Sequence, residues 1–375
     1  MSRILFISYV SNQHSGVGNR VYYLSRELAK KDHEVHVITR QGEYVNNKIN
    51  AYYVQIPKHI LKIPPVPLPQ VSIFNLLAYK KFEEIKHKIK PDLIDVQHVH
   101  VSPIVNMMKE KENLAITCHG TEIGLFNYLG RTYLGFVTLI NSQFEKNIFK
   151  KSKIVIAVSD YVKKELLKHY DLQSNRIITI PNGIDLKEFN NIRKINLKDK
   201  LGVSNIILFL GGFSKRKGIH ILLKALSKIK EKDWVLIIVG SGDLKSKKEI
   251  NNLSYFLNIK NRIINFSNIS RELLKRILFE ADIFVHPSLY EPFGIAVLEA
   301  MASGKAIIAT RTGGIPEILD NAGILIRPSS EELKDALELL ISDTELRKKY
   351  SKLAIERAKI FDWSSIAQKY CNYLL

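Results

Sequence analysis

The stretch Ile283-Phe284-Val285-His286-Pro287-Ser288-Leu289-Tyr290-Glu291-Pro292-Phe293-Gly294-Ile295-Ala296-Val297-Leu298-Glu299 passes from a short apolar run, through a loop closed by proline, into a second apolar run. The first run is too short for a helix and reads as a strand at 283–286, buried on both faces in a parallel sheet. Pro292 suits the first turn of a helix, where its missing N–H costs nothing, so the second run is predicted as a helix at 293–303.

Worked outward, the same strand-loop-helix rhythm repeats through the chain. In the first half, strands are expected at 4–8, 35–39, 93–96, 114–118, 154–157 and 177–180, with helices at 19–31, 72–88, 141–150 and 161–169. In the second half, strands recur at 206–210, 235–239, 263–266, 283–286, 306–309 and 323–326, with helices at 218–228, 245–257, 271–280, 293–303 and 331–341. Repeated βα units with wholly apolar strands imply parallel sheets covered on both faces, and two such sets imply two Rossmann-like doubly wound α/β domains. The length of 375 residues also exceeds one comfortable core. The expected division is 1–190, 200–355 and a C-terminal helix over 356–375 that packs back toward the first domain. The Asn- and Lys-rich stretch 186–201 reads as the linker, and Trp363 and Tyr370 as anchors of the tail. Pro64-Pro65-Val66-Pro67-Leu68-Pro69 excludes regular helix or central strand, so 55–70 is read as an irregular loop that reaches over a cleft.

Composition narrows the class. Only Cys118 and Cys371 are present, which excludes a disulfide framework and a cysteine-rich metal site. No apolar run approaches the roughly 18–20 residues needed to cross a bilayer. Charged and polar residues follow Met1–Ser8 too soon for a signal peptide, so a cytoplasmic location is expected. Lys+Arg number 56 against 37 Asp+Glu, a formal charge of +19. That excess favours an anionic partner: nucleic acid, anionic lipid or a phosphorylated small molecule. No aromatic-basic module of a nucleic-acid binder is present, so nucleic acid is set aside.

Doubly wound sheets bind ligands outside the carboxyl ends of their strands, and two facing sheets would put the site between the domains. The N–H groups of Phe293, Gly294, Ile295 and Ala296 would lie at the positive end of the predicted helix, where anionic oxygens bind. Glu299 follows Glu291 by eight positions, roughly 12 Å along a helix, which is too far for an acid/base pair on one bond but suits two contacts along an extended ligand. The bland alternative is a capped helix carrying two solvated glutamates. Gly16 and Gly18 lie between the first strand and the first helix, where small residues admit a close backbone approach or merely a tight turn. His119 sits just past the strand 114–118, and no other histidine of the chain has a comparable setting. Lys217 follows the strand 206–210 and a Gly211-Gly212 turn, where a fixed cation can neutralise an anionic ligand. Asp-x-Asp is absent throughout, as are zinc-type ligand spacings and the Gly-x-Gly-x-x-Gly fingerprint of nicotinamide enzymes. No metal and no cofactor are therefore expected.

The segment Glu291–Glu299 resembles the E-x7-E motif of the retaining glycosyltransferases of family 4, which have the GT-B architecture. The resemblance extends over nearly the whole chain through Ser15-Gly16-Val17-Gly18, Cys118-His119-Gly120-Thr121-Glu122, Pro181-Asn182-Gly183-Ile184-Asp185, Lys217-Gly218, Gly240-Ser241-Gly242-Asp243 and Gly313-Gly314-Ile315-Pro316-Glu317. It implies that Glu291 meets the transferred sugar and Glu299 the ribose. It further implies that Phe293–Ala296 meet sugar and diphosphate, that the Gly16–Gly18 loop faces donor phosphates and acceptor, and that His119 lies near the reacting carbon. Where the family places an arginine after the first glycine, this chain has Gly212, and Arg216 or Lys215 is the candidate to replace it.

The expected function is transfer of a sugar from a nucleotide diphosphate sugar to a hydroxyl acceptor: a glycan, a small molecule or a lipid-linked group. Aromatic residues in Phe126–Phe136 and the basic surplus fit docking at an anionic membrane surface, which extends the expected location to the inner face of the membrane. Two other readings stay open, a sugar-nucleotide epimerase and a sugar-nucleotide-binding protein with little or no transfer activity.

Overall fold

In the computed structural model the described residues are 1–11, 16–42, 48–56, 68–97, 102–109, 113–231 and 233–375. They form two compact units, Met1–Gly183 with Trp363–Leu375, and Ile184–Asp362. The loop expected over 55–70 falls largely outside the described residues, as does Ser15.

The first unit runs β1 (Arg3–Ser11), α1 (Gly16–Lys30), β2 (Glu34–Gly42), β3 (Ile49–Tyr53), α2 (Leu68–Ile89), β4 (Leu93–Gln97), β5 (Leu114–Cys118), α3 (Glu122–Leu129), α4 (Tyr133–Lys151), β6 (Ile154–Ala157), α5 (Asp160–His169) and β7 (Ile177–Thr179). Its sheet has seven strands in the order β3-β2-β1-β4-β5-β6-β7. All pairs are parallel. The second unit runs α6 (Leu197–Leu201), β8 (Asn205–Leu210), α7 (Ile219–Ser227), β9 (Trp234–Val239), α8 (Leu244–Phe256), β10 (Ile263–Phe266), α9 (Arg271–Glu280), β11 (Ile283–His286), α10 (Ile295–Ala302), β12 (Ala306–Thr310), α11 (Ile315–Leu319), β13 (Ile324–Ile326), α12 (Ser330–Ser342) and α13 (Thr344–Ala358). Its parallel sheet has six strands, β10-β9-β8-β11-β12-β13. In each sheet the strand order reverses beside the first strand, between β1 and β4 and between β8 and β11. Crevices for ligands open at such reversals.

Several elements depart from expectation. The strand β3 carries the short sequence Ile49-Asn50-Ala51-Tyr52-Tyr53, whose central Asn and Ala hide the β signal until pairing with β2 supplies it. α4 begins at Tyr133 rather than 141, because Thr132 caps it through Gly135 N–H, and α3 precedes it with Thr121 as cap. The two helices pack so closely that a Cβ on Gly135 would lie 2.0 Å from the Gly130 carbonyl oxygen.

The stretch read as a linker belongs instead to the second unit. Glu280 accepts the N–H groups of Ile195, Asn196 and Leu197 at 2.7, 3.0 and 3.2 Å. Burial alone would raise the Glu280 carboxyl, but these three donors hold it below its ordinary value. The chain changes units at Gly183–Ile184 and again at Asp362–Trp363, where Ile184 N–H donates to the Phe361 carbonyl at 2.8 Å.

The last helix, α14 (Trp363–Leu374), returns to the first unit. Trp363, Ile366, Ala367 and Tyr370 join the core formed by β1, β2 and α1, and Trp363 stacks on Tyr23 with ring centroids 6.0 Å apart. No described helix is long and apolar enough to cross a membrane. Trp363→Ala removes one of the largest fully buried side chains. We expect a loss of about 3–5 kcal/mol in the first unit, read as a lower urea midpoint by near-UV circular dichroism.

Candidate functional site

β8 and β11 are hydrogen-bonded neighbours although 74 positions separate Lys217 from Glu291, and the loops leaving their carboxyl ends therefore meet. After β8 a single 3-10 turn, Lys215–Lys217, leads into α7. Gly218 links the two with φ +70°, and a Cβ there would lie 1.7 Å from the Pro287 carbonyl oxygen, so only glycine lets the lysine turn sit against the β11 loop. Arg216 stitches the same contact: its Nη1 donates to the Tyr290 carbonyl at 2.8 Å, and its carbonyl accepts from Leu289 N–H at 2.7 Å.

Lys217 Nζ lies 2.6 Å from Glu291 Oε2, with side-chain exposures of 19% and 12%. His286 Nε2 lies 3.2 Å from the same oxygen and 3.1 Å from Ser288 Oγ. Burial alone would raise the Glu291 carboxyl, but the Lys217 charge, with His286 behind it, holds it far below the usual carboxylate range. Burial pushes His286 the other way, below its ordinary value, so at neutral pH the ring is uncharged and donates to an ionised Glu291. His286 Nδ1 is buried with no hydrogen-bond partner among the described residues. His286 corrects the expectation that His119 alone among the histidines has a site-like setting. The signal was present, since His286 ends its strand and precedes Glu291 by five positions.

Glu291 is also gripped from its backbone. Gly314 N–H donates to the Glu291 carbonyl at 3.0 Å, and Gly313, at φ +58°, would put a Cβ 1.9 Å from that oxygen. The Gly313-Gly314 pair thus serves a close backbone approach. Thr310 Oγ1 bonds the carbonyls of Ser288 and His286 and fixes the start of the same loop.

α10 begins two residues later than expected. Gly294 is its N-cap, with φ 116° and no side-chain cap, so Pro292 lies before the cap and Phe293 is not helical. Ile295 and Ala296 form the first turn, whose N–H groups have no partner within the helix. Phe293 is buried edge-on against Phe361, centroids 6.3 Å apart, and serves packing. Glu299 does not join the Lys217–Glu291 cluster. It is buried, and its Oε1 accepts from Arg271 Nη1, whose Nε reaches Glu188 at 3.3 Å. Lys275 adds a second cation 3.8 Å from Glu188.

Gly212 lies between two laced turns. The turns after β8 and β9 are laced by Gly211 N–H to Val239 O at 3.0 Å and Phe213 N–H to Ser241 O at 3.1 Å. A Cβ at Gly212 would then lie 3.2 Å from the Ser241 carbonyl oxygen, a tight fit for any side chain. Arg216 keeps one arm on Tyr290, and Lys215 is exposed.

The remaining candidates belong to the first unit. Gly16 and Gly18 are not in a loop but in the first turn of α1, and Gly18 is buried. His119 follows β5, half-buried, its Nε2 2.9 Å from Gln97 Oε1. Its loop is anchored beyond by Thr121 Oγ1 to Glu165 at 2.9 Å and by Glu122 N–H to Glu145 at 3.0 Å. Among the described residues no group of three or more His, Cys, Asp or Glu side chains is placed to hold a metal ion.

Known proteins match this arrangement. The model described as Glycosyltransferase Family 4 matches residues 14–188, and that of Glycosyl transferases group 1 matches 188–357. An uncharacterised glycosyltransferase of Methanocaldococcus jannaschii is 29% identical over 93% of this chain and 91% of its own. The N-acetyl-alpha-D-glucosaminyl L-malate synthase of Bacillus anthracis is 28% identical, covering 89% and 86%. Among solved structures, sucrose-phosphate synthase from Thermosynechococcus elongatus superposes with a TM-score of 0.82 at 22% identity, covering 99% of this chain and 98% of that one. The Anabaena protein HepE in complex with UDP-glucose gives 0.77 at 20%, covering 100% and 99%. The fold of both units is thus that of GT-B enzymes.

Gly313→Ala tests the backbone grip. We expect a loss of about 1–3 kcal/mol in the second unit, and with it displacement of Glu291. Unchanged thermal unfolding together with an unchanged Glu291 position in a crystal structure of the variant would sink this account of the loop.

Proposed function

The chain belongs to the family-4 glycosyltransferases, and on that premise we propose that it moves a sugar from a nucleotide diphosphate sugar to a hydroxyl acceptor, with retention at the anomeric carbon. The observation that carries this reading is the Lys217–Glu291 pair at 2.6 Å, set beside the uncapped first turn of α10 at a reversal of strand order. A diphosphate is a dianion or more. A fixed lysine and a helix end with open N–H groups stabilise the charge that grows on it as the glycosidic bond breaks. Lys217 then does the work of a metal cation. The acceptor oxygen attacks from the face the diphosphate leaves, and a leaving oxygen takes the acceptor proton, so retention needs no second carboxylate on the reacting carbon.

Glu291 stays ionised throughout, held by Lys217 and His286, and we assign it to the hydroxyls of the transferred sugar rather than to proton transfer. Glu299 takes the ribose, steadied by Arg271. His119 serves the sugar near its reacting carbon. Lys217→Ala should lower kcat/KM for the donor by about 100- to 1,000-fold. The donor is found by screening UDP-, GDP- and ADP-sugars for thermal stabilisation, and the anomeric configuration of the product is read by proton NMR. Wild-type kinetics in Lys217→Ala would defeat the site, and an inverted product would defeat the stereochemistry.

For the acceptor we propose a lipid-linked hydroxyl reached from an anionic membrane surface. α4 turns Tyr133, Phe136, Val137, Ile140 and Phe144 outward at helical spacing, with Tyr133 82% and Phe144 62% exposed. Arg131 and Lys150 are exposed near the two ends of this stripe, while Glu145, the one acid of the helix, is buried against Tyr170. A net +19 opposes pairing of two copies and favours anionic lipid. Vesicles of phosphatidylglycerol and phosphatidylcholine should sediment the protein at low salt and release it at high salt, and Ile140→Asp should abolish capture. No binding at low salt, or dimerisation through this face without binding, ends the proposal.

A further inference from the structure

Behind His119 the first unit carries a buried chain of polar groups drawn from four elements. Asp95, on β4, is fully buried. Its Oδ1 accepts from Thr117 Oγ1 of β5 at 2.8 Å and from Gln97 Nε2 at 2.9 Å, and its Oδ2 accepts from the Tyr370 hydroxyl of α14 at 3.0 Å. Arg20 of α1, also fully buried, acts on Asp95 through space, while its Nη1 donates to the carbonyls of Ile180 and Pro181 and to Asn182 Oδ1 at 3.1, 3.0 and 3.2 Å. Gln97 Oε1 closes the chain on His119 Nε2 at 2.9 Å.

We infer that Gln97 is a positioning residue that locks the His119 imidazole in its Nε2–H tautomer, its own amide being held in one orientation by the ionised Asp95 and, behind Asp95, by Tyr370 and Thr117. The inference follows from counting donors and acceptors. An ionised carboxylate accepts and never donates, so Gln97 must turn its NH2 group to Asp95. Its carbonyl then faces His119, and a carbonyl also only accepts. His119 Nε2 must therefore carry the hydrogen, and Nδ1 is left as the basic nitrogen of the ring. The reverse tautomer would set two acceptors against each other at 2.9 Å, with the Gln97 side buried.

The arrangement is more than packing glue. Packing alone would be served as well by apolar side chains of the same volume, without the cost of a buried charge. Burial pushes the Asp95 carboxyl up to about 6, with Arg20 the main group acting against it and Thr117 and Tyr370 adding their hydrogen bonds. Tyr370 is itself driven well above its ordinary value, chiefly by burial, so it remains a donor at every working pH. The sign of the pH effect follows. Above about 6 Asp95 is ionised and Gln97 has one orientation. As pH falls through 6, Asp95 gains a proton it can donate, the demand on the Gln97 amide is relaxed, and the tautomer of His119 is released.

The tautomer is read directly in full-length protein labelled with 15N-histidine, with the His119 signals identified by their loss in His119→Asn. At pH 7.5 the wild type should show a protonated Nε2 and an unprotonated Nδ1. Gln97→Leu, which offers no carbonyl to Nε2, should give a mixture of tautomers. Tyr370→Phe removes a donor to ionised Asp95 and should move the pH at which the tautomer is released upward. A protonated Nδ1 in the wild type, or a single unchanged tautomer in Gln97→Leu, overturns the inference. Its catalytic consequence rests on the proposed function: Gln97→Leu should then lower kcat by about 10- to 100-fold with a smaller change in donor KM, and add nothing to His119→Asn. If His119→Asn leaves transfer unchanged, the role assigned to His119 fails while the tautomer assignment stands on the NMR result.

Discussion

The second unit is organised around one constraint: the parallel strand order β10-β9-β8-β11-β12-β13 puts β8 and β11 side by side, whatever their distance along the chain. Everything that qualifies the site as chemical follows from that adjacency. The loops leaving the two strands meet because their strands do, and Lys217 reaches Glu291 across the junction. Such a pair is sustained only where further hydrogen bonds share the load. His286 supplies one to Glu291, while Arg216 bonds the Tyr290 carbonyl and Gly314 the Glu291 carbonyl.

Glycine has a particular place in that stitching. At Gly218 and Gly313 a methyl group would overlap a carbonyl oxygen of the opposite loop, at Pro287 and Glu291 respectively. These residues contribute no chemistry, yet they set how close the cation and carboxylate loops come. The Gly212 position follows a similar logic, because lacing between the turns after β8 and β9 leaves little room for a side chain there. Lys217 is the cation paired with Glu291.

The first unit meets a different problem. Its last helix is contributed by the far end of the chain, and β4 carries a carboxylate in the middle of a core. Tyr370 answers both, since its ring packs with Phe6 at a centroid distance of 6.1 Å and its hydroxyl satisfies Asp95. A polar chain then runs from the C-terminal helix to His119. In both units, therefore, a charged group that looks costly is hydrogen-bonded or paired with a polar side chain at a strand's carboxyl end.

The sequence by itself determined the class of fold, because wholly apolar short runs alternating with amphipathic ones admit little besides covered parallel sheets. It also located the loops leaving the carboxyl ends of β5, β8 and β11, on which His119, Lys217 and Glu291 lie. It pointed to Trp363 and Tyr370 as tail anchors through their size and spacing. Only the tertiary structure decided the rest. That Glu299 pairs with Arg271, that His286 backs Glu291, and that the stretch 186–201 is fastened by Glu280 depend on contacts between residues 5 to 85 positions apart. The start of α10 at Gly294 and of α4 at Thr132 turns on single caps, which propensity does not resolve. The physical reason is common to these cases. Periodicity reports which face of an element is buried, but hydrogen bonds and ion pairs are chosen among whatever groups the completed packing brings within 3 Å.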